Sequence, residues 1–146
     1  PLLDQQATKA NILLALRRLA GADTSPLPAT APAALGKIKP VQPEDAVVVY
    51  FAGHGTAQAN RFFLIPHDLG YDGSRTNLGT SAMLTILTNS ISDRDLERAL
   101  EGVDAGHLLL VIDACNSGQA LEAEEKRRGP MNSRGLAQLA RRAVAR

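Results

Sequence analysis

The stretch Ala46-Val47-Val48-Val49-Tyr50-Phe51-Ala52, followed at once by Gly53-His54-Gly55, decides how this chain is read. A solid apolar run with three consecutive valines predicts a β-strand buried on both faces, the habit of a parallel sheet. The glycines predict an abrupt end to the strand, with His54 just beyond it. A second run, His107 to Asp113, has the same character and leads into Ala114-Cys115-Asn116-Ser117-Gly118.

Between and around these runs the pattern alternates. Thr8 to Gly21 reads as an amphipathic helix, with Ile12, Leu16 and Leu19 at helical spacing and Gly21 as its stop. Thr24 to Pro43 carries prolines at 26, 28, 32, 40 and 43 and cannot be a regular helix throughout. Arg61 to Ile65 predicts a short strand closed by Pro66, and Tyr71 to Ser81 a loop. Ser92 predicts the cap of a helix over Asp93 to Leu100, with two aspartates in its first turn. Beyond Gly129-Pro130, Ser133 to Arg142 reads as helical. Strands alternating with helices predict an α/β domain with a mainly parallel sheet, spanning residues 1–146 as a single domain.

In such sheets ligands bind beyond the carboxyl ends of the strands. Two of those ends here carry Gly-His-Gly and Asp-Ala-Cys-Asn-Ser-Gly, which delivers a thiol and an imidazole to one edge. A thiol must lose its proton to attack a carbonyl, and a neighbouring imidazole can take it. Cys115 is therefore the candidate nucleophile and His54 the candidate general acid and base. The amides of Gly55 and Cys115 are the candidate oxyanion donors. Each alone has a plainer reading: Cys115 as inert core, His54 as a turn residue, Asp113 as a strand-end group bonding nearby amides. One cysteine and three histidines show no ligand spacing for zinc, so no metal site is expected. His67 and His107 read as structural, and Arg61, Arg75 and Arg94 as surface charges.

These residues resemble the two signatures of the caspase-like cysteine peptidases, Val47 to Gly55 carrying the histidine and Leu109 to Gly118 the cysteine. The match is nearer to the bacterial metacaspase-like branch, the orthocaspases, and runs from about Thr8 to about Leu139. The resemblance implies a caspase-like α/β/α sandwich, incomplete at both ends, lacking the family's first strand and its small-subunit-like part. It implies a Cys115–His54 dyad that cleaves polypeptides through a thioester acyl-enzyme, with Gly55 in the oxyanion hole. It further implies that Asp113, two residues before the cysteine, lines the S1 pocket and selects Arg or Lys, where a charge-assisted pair is strong. Related folds direct cleavage to Asp or Asn, and others with decayed sites serve as scaffolds. Calcium activation occurs in some relatives, and Asp68 stands near one such position. Lys126, Arg127 and Arg128 lie where an activation linker would be cut, although a solvated helix face explains the same charges.

Composition narrows the rest. With 16 basic and 15 acidic residues the formal charge is +1, which gives no reason to expect nucleic acid as a partner. A lone cysteine excludes an intrachain disulfide and suits a reducing, cytoplasmic setting. Leu108 to Ile112 is too short to cross a bilayer, and the first residues lack the basic start and apolar core of a signal peptide. Because Pro1 is not an initiator methionine, a trimmed or partial chain is expected.

Overall fold

The computed structural model describes residues 1–58, 61–73 and 78–116, with backbone alone at 115 and 116. The expectations for Arg75, Gly118, the Lys126–Arg128 stretch and the Ser133–Arg142 helix lie outside these residues.

Helix α1, Lys9–Leu19, is closed at both ends by its own sequence. Thr8 Oγ1 accepts a hydrogen bond from the Asn11 amide at 3.1 Å. At the other end Gly21 adopts φ 69°. This lets the Gly21 amide reach the Arg18 carbonyl and the Ala22 amide reach that of Arg17, at 3.0 and 2.9 Å. A residue with a Cβ would be strained at that φ, so the glycine is what turns the chain. The proline-rich segment that follows contains one short helix, α2 (Ala33–Gly36), tied down by the fully buried Leu35.

Among the described residues four strands form one sheet: β1 (Ala46–Gln58), β2 (Arg61–Ile65), β3 (Ile91–Ser92) and β4 (His107–Asn116), in the order β3-β2-β1-β4. The β1–β4 ladder is parallel and is the longest; β1–β2 and β2–β3 are antiparallel. The sheet is therefore mixed, within an α/β architecture. Helix α3, Thr80–Asn89, occupies a stretch for which no helix was expected. Two of its threonines bond back to their own helix, Thr85 Oγ1 donating to the Ser81 carbonyl and Thr88 Oγ1 to that of Leu84. Hydroxyls satisfied this way weaken the sequence signal without breaking the helix.

Helix α4, Asp93–Glu101, begins with a full capping box. The Asp95 amide donates to Ser92 Oγ, and the Ser92 amide donates to Asp95 Oδ2, each at 3.1 Å. Burial pushes the Asp95 carboxyl up, but the bonds from Ser92 and the nearby Lys9 and Arg98 charges outweigh it, and its pKa ends below the usual value. Arg61, expected as a surface charge, bonds Asp93 Oδ1 through Nε at 2.7 Å and pins β2 to the start of α4.

The core lies on one face of the sheet. Leu16 of α1, Leu96 and Leu100 of α4, Phe62 and Leu64 of β2, Ile91 and Val103 are buried together. Val47, Val49, Phe51, Leu108, Leu110 and Ile112 face them. Each large apolar side chain removed from water contributes about 1.5–3 kcal/mol. Truncating Leu96 to Ala would cost about 2–5 kcal/mol through the cavity it leaves.

The expectation of strands buried on both faces is corrected here. Along β1 exposure alternates, and Val48 and Tyr50 are 66% and 61% exposed. Leu109, the register partner of Val48, is 56% exposed. The core helices pack on the odd-numbered side of β1, so the apolar residues on its other side stay in solvent among the described residues.

Candidate active site

A second correction concerns where the strands end. β1 does not stop at Gly53 but runs on to Gln58, and β4 continues through Cys115 to Asn116. His54 is an internal strand residue, paired with Ile65 of β2 on one side and with Cys115 of β4 on the other. The reason is β2: once it pairs with positions 54–58, the glycines no longer need to end the strand.

The parallel register puts the two candidate dyad residues directly opposite each other. Neighbouring strands lie about 4.8 Å apart, so the backbones at 54 and 115 are held at that spacing by the ladder itself. One step toward the amino end on the same face, Ala52 is opposite Asp113. Because side chains alternate with period two, positions 50, 52 and 54 of β1 share a face with positions 111, 113 and 115 of β4. It is the face that the core leaves exposed. His54 and Asp113 are both exposed there.

The two glycines beside His54 serve the opposite face. A Cβ on Gly53 would lie 3.1 Å from the ring of Phe51. One on Gly55 would lie 2.9 Å from Cζ of Phe62 and 3.2 Å from the Ala114 methyl. Both clashes are with the apolar side of the sheet, not with the face carrying His54. Packing gives the reason at position 55: Phe62, 1% exposed, occupies the volume a side chain there would need. Gly55 itself is buried next to His54.

Asp113 has a partner that the sequence did not reveal. The Tyr50 hydroxyl donates to Asp113 Oδ2 at 3.1 Å. That bond, and then the carboxylate's charge, push the Tyr50 phenol above its ordinary pKa. The signal existed in principle, since period-two alternation puts 50 and 113 on one face, but only once the register is known.

The remaining histidines stand apart. His107 opens β4, and the backbone amide of His67 donates to the Ala7 carbonyl at 2.9 Å. Asp68 accepts the Lys9 amide at 2.8 Å, at the start of α1. Among the described residues no three His, Cys, Asp or Glu side chains gather as a metal ion would require. No helix among them is long and apolar enough to cross a membrane.

In this mixed α/β sheet a histidine and a cysteine stand at paired register positions on adjacent parallel strands. The family model described as the caspase domain matches residues 33–143, well over half of the sequence, and the chain belongs to that family of cysteine peptidases. Comparisons with curated proteins and with solved structures gave no significant match. A polypeptide substrate follows from the family in general terms.

Proposed function

We propose that the chain is an endopeptidase of the metacaspase-like, bacterial type that cleaves after Arg or Lys, with Cys115 as nucleophile and His54 as general acid and base. The observation that carries the reading is the register: His54 opposite Cys115, with Asp113 one step away on the same face. In the first step the Cys115 sulfur bonds the substrate carbonyl carbon and its proton passes to His54. The tetrahedral oxyanion is held by backbone N–H donors. The C–N bond then breaks, His54 gives the proton to the departing amine, and a thioester remains. Water, deprotonated by His54, cleaves the thioester and restores the thiol.

Asp113 supplies the preference for a cationic side chain before the cleaved bond. A carboxylate on the exposed face pairs with a guanidinium or ammonium and repels an acidic residue. Cleavage in trans or in cis at Lys126–Arg128 agrees with that preference. Activity without calcium and a cytoplasmic setting complete the reading.

The test is labelling with a peptide chloromethyl ketone bearing arginine before the reactive group. Stoichiometric labelling of wild type, abolished in Cys115→Ala and slowed at least about 100-fold in His54→Ala, is expected for an acid–base partner of this kind. A folded wild type that takes neither this probe nor its aspartate and asparagine counterparts is a scaffold, and the peptidase reading is wrong.

A further inference from the structure

We propose that Tyr50 is a positioning residue for Asp113: its hydroxyl fixes the carboxylate in the orientation that receives an arginine guanidinium. The inference rests on the assignment of Asp113 to the S1 pocket made above.

Four observations carry it. Tyr50 Oη donates to Asp113 Oδ2 at 3.1 Å across adjacent strands, between positions 63 residues apart in sequence. The bond runs diagonally, since the residue directly opposite Asp113 is Ala52 and the one opposite Tyr50 is Val111. Such diagonal neighbours are within reach of an aromatic side chain, and the small Ala52 leaves the way clear. Tyr50 is 61% exposed, so core packing does not explain a large aromatic there. Last, no cation pairs with Asp113 among the described residues.

The chemistry of the donor matters. A lysine or arginine at position 50 would orient Asp113 equally well but would neutralise the charge that a substrate cation needs. A phenol orients the carboxylate and leaves its charge in place. With Oδ2 held, the plane of the carboxylate is set, and a planar guanidinium that bonds in two places depends on that plane. An ammonium, a point charge with rotating donors, depends on it much less. Tyr50 therefore separates arginine from lysine, while Asp113 separates both from neutral residues.

The experiment compares peptides ending in arginine, lysine or citrulline before the cleaved bond, on wild type, Tyr50→Phe, Asp113→Asn and the double variant. Citrulline keeps the shape of arginine without its charge. In Tyr50→Phe the KM for the arginine peptide should rise about three- to tenfold, the worth of one orienting hydrogen bond. The lysine peptide should lose less, so the arginine-to-lysine ratio falls. In the Asp113→Asn background the same change should have no further effect on that ratio. An independent readout uses tyrosinate absorbance in Tyr71→Phe, which leaves Tyr50 as the only tyrosine of the original two. Its titration should move to lower pH when Asp113→Asn is added.

Outcomes separate cleanly. If Asp113→Asn collapses the preference for arginine over citrulline but Tyr50→Phe leaves the arginine-to-lysine ratio alone, Tyr50 positions nothing and only this inference fails. A Tyr50 titration indifferent to Asp113→Asn overturns it as well, with or without turnover. If Asp113→Asn itself leaves the arginine preference intact, the S1 assignment is wrong and the role of Tyr50 goes with it. A chain that takes none of the probes refutes the peptidase reading as a whole.

Discussion

Adding one methyl group at Gly55 tests the packing account of the sheet beneath the candidate dyad. A Cβ there would sit 2.9 Å from Cζ of Phe62, 3.0 Å from its Cε2 and 3.2 Å from the Ala114 methyl. Backbone strain plays no part, because Gly55 is not among the glycines with positive φ. The phenyl ring has little room to yield, being 1% exposed within the cluster formed by Leu16, Leu64, Ile91, Leu96, Leu100 and Val103. Overpacking a filled core costs about 1–3 kcal/mol. Replacing glycine by alanine returns about 0.4–1 kcal/mol through the unfolded chain. The net loss for Gly55→Ala is therefore about 0.5–2 kcal/mol, read from urea denaturation with an unchanged slope. The diagnostic partner is Phe62→Leu, which removes the ring atoms that clash. With Phe62→Leu already in place, the extra methyl should cost little, giving a coupling of about 1 kcal/mol between the two sites. If Gly55→Ala is as stable as wild type, or if its cost is the same with Phe62→Leu, the ring is not what keeps position 55 bare. The substitution keeps the Gly55 amide, so a variant that folds normally yet loses activity would give the glycine a role in substrate approach.

Other expectations follow from the same contacts. Ser92→Ala removes the α4 cap and should cost about 1 kcal/mol by chemical denaturation. Because the folded-state pKa of Asp95 is lowered, its contribution is complete above the unfolded value of about 3.9 and fades as pH falls through the folded one. The stability gap between wild type and Asp95→Asn should therefore close on acidification; a gap constant from about pH 7 to about pH 2 would contradict the capping box. Arg61 and Asp93 form a short but partly exposed pair, so a double-mutant cycle should return no more than about 1 kcal/mol, reduced by added salt. Labelling at Cys115 should disappear in Cys115→Ala and depend on His54 as set out above.

Much of this protein is legible in its residues alone. The cap at Thr8, the stop at Gly21 and the cap at Ser92 are local chemistry, each decided within a few positions, and the helices begin and end where those residues put them. The valine-rich and leucine-rich runs declare two strands, and the histidine and cysteine that follow declare the family. Local pattern could not say how far those strands extend. Gly53-His54-Gly55 reads as a strand end, yet pairing with Phe62 to Ile65 carries β1 through it, because a ladder on both sides outweighs the flexibility of two glycines. Helix α3 was hidden because threonine, serine and asparagine are weak helix formers, and their side-chain bonds appear only once the helix exists. Most of all, register belongs to the tertiary structure. The sequence names His54, Cys115 and Asp113 but not Tyr50, and a one-residue slip between β1 and β4 would put the two strands' members on opposite faces. Only the packing of Val47, Val49, Phe51, Leu108, Leu110 and Ile112 against the helices fixes which face looks inward, and so brings those four positions together on the other.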